Sequence, residues 1–242
     1  MDKKAIEVCF TPAIYPLHHK PDAIVVIVDI LRATSAISAA FMNGVKEIIP
    51  VKEIDVAKEY KDKGYLVAAE RDGYVLDFAD FGNSPYNFTK ERVEGRSIVY
   101  STTNGTKAIE LARGCSQIVV GSYLNLTALS RWLVAQNRDV TIFCSGWKNR
   151  FSLEDAVFAG AVSEQLIESG NFFTICDSAN AALDLWRVAK DDLINYSQKV
   201  AQKGRLASKG LDDVFDFCHT LDQTNLIPLL KGDRLIGITI EN

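Results

Sequence analysis

Several things are scarce in this chain, and each scarcity removes a class of protein. Prolines number 6 in 242 residues, while 48% of residues are hydrophobic and 24% charged, a globular rather than a disordered profile. No block of lysine and arginine occurs and the net charge is −4, so no nucleic-acid or membrane partner is expected, and any anion must be met by a local site. The five cysteines (Cys9, Cys115, Cys144, Cys176, Cys218) are odd in number, widely spread and form no Cys-x-x-Cys pair. That argues against a disulfide framework or a zinc cluster and for a reducing cytoplasm. Long apolar runs are missing too. The longest β-rich run, Ala23 to Val28, is far too short to span a bilayer, and the residues after Met1 lack a signal-peptide core, so a cytoplasmic location is expected. No Gly-x-Gly-x-x-Gly follows any predicted strand, which weakens a dinucleotide-binding reading, and no repeat of fixed period is present.

What is present is a strand–helix alternation. Ala23–Val28 is continuous, apolar and β-branched, the pattern of a strand buried on both faces of a parallel sheet. Further strands are predicted near residues 6–10, 47–51, 65–69, 96–101, 117–120 and 139–143, with helical segments between them, such as Ala33–Met42 closed by Asn43-Gly44. The pattern predicts an α/β fold: three α/β/α layers around a mainly parallel sheet. Residues 1–170 read as the α/β core. Residues 171–242 read as helical segments plus a terminal β-hairpin around Lys231-Gly232-Asp233, packing on that core.

Open α/β sheets bind ligands beyond the carboxyl ends of their strands. Three such ends carry suitable chemistry. Asp29 and Glu70 each close a predicted strand, and two strand-end carboxylates can share a hard divalent cation. Arg32 offers a planar fork for carboxylate, sulfonate or phosphate oxygens. Ser101-Thr102-Thr103-Asn104-Gly105-Thr106 lies between a strand and a helix-like segment. Those residues suit helix capping and equally suit the cradling of an oxyanion. Together these features resemble a metal-assisted phosphoryl-transfer site.

A rival motif runs from Cys144 to Arg150, with the Cys-x5-Arg spacing of cysteine-dependent phosphatases, in which a thiolate attacks phosphorus without metal. Phe143 stands where a histidine is usual, and a buried strand-end thiol is the plain alternative. A non-catalytic anion-binding α/β domain also remains open.

Taken in order, Asp29-Ile30-Leu31-Arg32-Ala33-Thr34-Ser35, Gly82-Asn83-Ser84-Pro85, Ser101 to Thr106, Gly121-Ser122 with Asn125, and Cys144-Ser145-Gly146 running to Ser152-Leu153-Glu154-Asp155 resemble the 2-phosphosulfolactate phosphatase family. These are magnesium-dependent acid phosphatases of coenzyme M biosynthesis. The resemblance covers residues 23–160 well and the last third more loosely, through Ser208-Lys209-Gly210 and Asp213 to Cys218. It implies hydrolysis of a small-molecule phosphate ester, (R)-2-phospho-3-sulfolactate, and an α/β/α fold that two unlike α/β subdomains could build. It further implies Mg2+ on Asp29 and Glu70, with Asp155 as a third acid. Phosphate would sit on Ser101, Thr102, Thr103, Asn104, Gly105 and Thr106. Arg32 would take the carboxylate or sulfonate, and Asn83, Asn125 and Ser35 would complete the substrate site. A homo-oligomer is left open, since no coiled-coil repeat can be assigned.

Overall fold

The computed structural model describes residues 2–240. Eleven strands make one sheet: β1 (Lys4–Cys9), β2 (Ile24–Val28), β3 (Glu47–Pro50), β4 (Leu66–Arg71), β5 (Tyr74–Val75), β6 (Ser97–Ser101), β7 (Gln117–Gly121), β8 (Val140–Cys144), β9 (Phe172–Phe173), β10 (Ile227–Lys231) and β11 (Arg234–Ile238). Their order across the sheet is β5-β4-β6-β3-β11-β10-β7-β2-β8-β1-β9. Two parallel blocks are therefore present, β4-β6-β3 and β7-β2-β8-β1-β9. The antiparallel β10–β11 hairpin stands between them, pairing Leu229 with Val119 on β7 and Leu235 with Ile48 on β3. Arg234 fastens the second seam, its Nη1 donating to Glu47 Oε1 at 2.6 Å.

Helices cover both faces, as the strand patterns demand. In β2, Ile24, Val26 and Val28 face a core shared with Leu129 and Leu133 of helix Leu126–Gln136 and Val157, Phe158 and Val162 of helix Leu153–Glu168. Val25 and Ile27 face the other way, onto Ala36, Ile37 and Ala40 of helix Ala33–Met42 and Ile109 of helix Gly105–Leu111. The same second core runs on under Ile48, Ile98 and Ala68, while Ile49, Val67 and Val99 pack with Ala57 on a third cluster behind. Burial on both sides explains the unbroken β-branched runs. The result is the expected three-layer α/β fold.

The hairpin spacing has a geometric effect. In a flat sheet β6 and β2 would lie about 24 Å apart, five strand spacings. Yet the Tyr100 hydroxyl of β6 donates to the carbonyl of Ala33, just beyond β2, at 3.3 Å. The sheet curls around helix Ala33–Met42 and brings the carboxyl ends of its two parallel blocks to one cleft. Among the described residues, no helix is long and apolar enough to cross a membrane.

Candidate active site

The cleft has a volume of about 310 Å³ and is lined by Asp29, Arg32, Glu70, Asn83, Thr103 and Asn104, together with Asp72, Trp147, Lys148 and a segment from Gln202 to Lys209. Six residues expected from sequence are thus brought together.

Asp29 follows β2 and is held by the first turn of helix Ala33–Met42. Its Oδ1 accepts from the Ala33 amide at 3.3 Å, and its own amide donates to Thr34 Oγ1 at 3.1 Å. Its Oδ2 accepts no hydrogen bond among the described residues. Burial pushes the Asp29 carboxyl up to about 7; the Ala33 amide works against the rise, the charges of Glu70 and Glu154 add to it, and Arg32 opposes it.

Glu70, at the end of β4, is 4% exposed. Its Oε2 accepts from the Gly73 amide at 2.6 Å, and its Oε1 accepts from the amide and hydroxyl of Thr103 at 2.9 and 3.2 Å. This ties the β4–β5 turn to the loop after β6. Arg32, also 4% exposed, donates from Nη2 to Asn83 Oδ1 at 2.9 Å, while its Nη1 is buried without a partner. A buried guanidinium nitrogen with no acceptor is costly unless a ligand supplies one.

The other expected residues serve different ends. Thr102 and Thr106 close on each other: the Thr106 amide donates to Thr102 Oγ1, and Thr106 Oγ1 donates to the Thr102 carbonyl, at 3.3 and 3.0 Å. Ser101 is fully buried and accepts from Arg71 Nη2 at 3.0 Å. Gly105 packs against Ala33 and Asp29. Of the six-residue stretch, Thr103 and Asn104 alone line the cleft. Ser35 donates to the Ile30 carbonyl at 2.8 Å. Asn125 accepts from the Ser122 amide at 3.0 Å and donates to the carbonyls of Val120 and Leu226, capping the turn after β7.

Asp155 lies behind the cleft and is 2% exposed. Its Oδ1 accepts from the Ile30 amide at 2.9 Å and its Oδ2 from the Gly146 amide at 3.1 Å, joining the loops after β2 and β8. Burial, with Glu154 and Asp29 nearby, pushes its carboxyl well up. Cys144 is fully buried, and that burial drives its thiol far above the ordinary range, with Asp155, Cys9 and Glu154 adding to the rise. The neighbouring amides of Ser145 and Gly146 are taken by the Val28 carbonyl and Asp155. This is the opposite of the exposed, electropositive setting that activates a thiolate.

For a metal, the available donors are hard oxygens: Asp29 Oδ2 and the remaining lone pairs of Glu70. Among the described residues, no three His, Cys, Asp or Glu side chains gather into a closed cage. One or two carboxylates completed by water and substrate phosphate is the usual magnesium pattern, so the donor set fits that ion.

Sequence reasoning missed the wall formed by Trp147, Lys148, Arg205 and Lys209. Arg205 stacks on Trp147, 4.3 Å from the ring centroid, and Lys148 pairs with Asp72 at 2.9 Å. The available signal was the concentration of cations at Lys199, Lys203, Arg205 and Lys209, of which Lys209 alone entered the sequence reading, through Ser208-Lys209-Gly210.

Comparison with known proteins bears on what such a cleft does. A family model described as 2-phosphosulpholactate phosphatase matches residues 9–233. Similar proteins named probable 2-phosphosulfolactate phosphatase occur in Caldanaerobacter subterraneus subsp. tengcongensis (34% identity over 212 residues, 86% of this chain and 88% of the relative) and in Thermotoga maritima (36% over 211 residues, 87% and 90%). Another, from Gloeobacter violaceus, is 36% identical over 228 residues, covering 92% of this chain and 94% of its own. With the match running through nearly every strand that builds the cleft, the chain belongs to the 2-phosphosulpholactate phosphatase family and is, as its family description implies, a phosphoric monoester hydrolase.

Proposed function

We propose that this protein is a Mg2+-dependent phosphatase acting on the phosphate ester of a 2-hydroxy acid, with (R)-2-phospho-3-sulfolactate as substrate and 3-sulfolactate and phosphate as products, a step of the coenzyme M biosynthesis type. The observation that carries this reading is that Asp29, Glu70 and Arg32 line one cleft, with one guanidinium nitrogen of Arg32 buried there without a partner. Asp29 and Glu70 hold Mg2+. When bound there, the ion neutralises phosphate oxygens and lowers the pKa of a bound water. Arg32, assigned by the resemblance to the carboxylate or sulfonate, is instead given to the phosphate in this reading, which satisfies the buried donor and balances the ester's charge. Asn83 fixes the Arg32 fork, and Thr103 holds Glu70 in place. Asn104 borders the phosphate, its side-chain oxygen already accepting from the Lys148 amide. Catalysis of this kind rests on positioning and charge neutralisation.

Phosphate release from 2-phospho-3-sulfolactate tests the reading. Activity should vanish in EDTA and return with Mg2+. Undiminished turnover in chelator would overturn the metal role, and no release from any 2-phospho-hydroxy acid would overturn the substrate class.

A further inference from the structure

Besides Arg32, the cleft is lined by three further cations, Lys148, Arg205 and Lys209, that the phosphate ester does not require. Arg32 stands at the floor beside Asp29. Arg205 and Lys209 reach the same cleft from a different part of the fold, the helix Ala201–Ala207 and the turn that follows it. No carboxylate among the described residues lies within salt-bridge distance of either, whereas Lys148, the remaining cation of the cleft, is already paired with Asp72. The Arg205 Nε donates to Gln202 Oε1 at 2.6 Å, and stacking on Trp147 fixes the plane of the guanidinium, leaving its Nη edge for a ligand. Lys209 Nζ donates to the Asp72 carbonyl and lies 4.9 Å from the Tyr74 ring centroid, so it is tethered beside the cleft without its charge being matched. Partial burial lowers the Arg205 pKa, and the field of Glu154, behind it, works the other way. The acids lining the cleft are Asp72, whose carboxylate pairs with Lys148, and Asp29 and Glu70, which share the cleft with Arg32.

We infer that Arg205 and Lys209 form a second anion subsite that holds the non-reacting strong acid of the substrate, a tetrahedral or planar oxyanion at the end remote from the phosphate ester. The inference rests on the proposed phosphatase reading for the identity of the ligand, in which that group is the sulfonate. Selectivity for doubly acidic esters then resides in the wall supplied by residues 202–209, and the strand-end residues serve the phosphate. An arginine fork offers two parallel donors to such a group, while the lysine adds a point charge.

Calorimetric titration of metal-loaded protein with 3-sulfolactate, lactate and inorganic phosphate separates the two subsites. Wild-type protein should bind 3-sulfolactate well ahead of lactate. Arg205→Gln should weaken 3-sulfolactate by about 30-fold, the loss of one charge-assisted pair, and inorganic phosphate by less than about 3-fold. Arg205→Lys, which keeps the charge but not the fork, should fall between the two proteins. Equal weakening of phosphate and 3-sulfolactate, or no weakening of 3-sulfolactate, overturns the subsite. Phosphate release is assayed in parallel: a wild type without turnover, but with Arg205-dependent 3-sulfolactate binding, defeats the phosphatase reading and supports the subsite.

Discussion

Gly105 and Asp29 are in such close approach that a methyl group on Gly105 would stand 3.3 Å from Asp29 Oδ2 and 2.8 Å from the Ala33 Cβ. The first contact is tight and the second untenable, so Gly105→Ala must displace either the helix start or the aspartate that it borders. A displacement near 1 Å of a positioned group costs about 100-fold in rate. Gly105→Ala should therefore lose about 10- to 100-fold in kcat with a modest fall in Tm. Steady-state kinetics and thermal unfolding on the same sample decide it, and a wild-type kcat would show that Asp29 tolerates the shift.

A pH signature follows from Asp29. The ordinary value of its carboxyl is 3.8, and burial raises it to about 7 in the folded protein, so the folded state binds its proton more tightly. The stability that Asp29 contributes is complete below pH 3.8 and is lost as pH rises through 7. Urea midpoints in chelator should fall more steeply from pH 5 to 8 for wild type than for Asp29→Asn. His219 titrates in both proteins and cancels in the difference, whereas Asp155, raised in part by the Asp29 charge, is raised less in Asp29→Asn and so adds to the difference in the same direction. Parallel curves would mean that the folded carboxyl is not raised.

Cys144 offers a clean test of thiol chemistry. A fully buried sulfur with its thiol held protonated has no part in attack on phosphorus. Cys144→Ala should keep kcat within about twofold while losing about 1–2 kcal/mol of stability from the small cavity that it leaves. Abolished turnover in a stably folded variant would revive the nucleophile.

Asp155 should behave as a fastener. An amide in its place keeps one acceptor, but turns a donor toward either the Ile30 or the Gly146 amide. Asp155→Asn is expected to lose about 1–3 kcal/mol, the cost of an unmade buried hydrogen bond. Urea unfolding measures it; unchanged stability would mean that the two loops do not depend on this side chain.

The strand–helix alternation was legible because doubly buried strands carry β-branched runs that local pattern reveals. Asp29 and Glu70 were legible for a related reason: an acid that closes such a run stands at the ligand-binding edge of a parallel sheet. The remainder depends on partners distant in sequence. Thr102 and Thr106 turn their hydroxyls on each other and Asn125 caps its own turn, which composition cannot distinguish from hydroxyls and amides facing a ligand. Asp155 at a helix start reads identically whether it faces solvent or two foreign amides. Arg205 and Lys209 lie over 170 residues from Asp29, in helices whose cations look like any solvated face. The place of β10–β11 was equally hidden, since a hairpin announces its own turn and not the strands that it will join.

That hairpin has a consequence for how the molecule is made. Both strands that flank it, β3 and β7, are complete by residue 121, whereas the hairpin itself ends at Ile238. From residue 121 until the hairpin is made, the nascent protein therefore carries β3 and β7 with open inner edges, each able to pair with a neighbouring chain. The late hairpin acts as a keystone. Crowded polysomes and slow release from the ribosome should then be the conditions under which this protein aggregates, and a chaperone that shields bare strand edges should raise its yield more than one that acts on the finished fold.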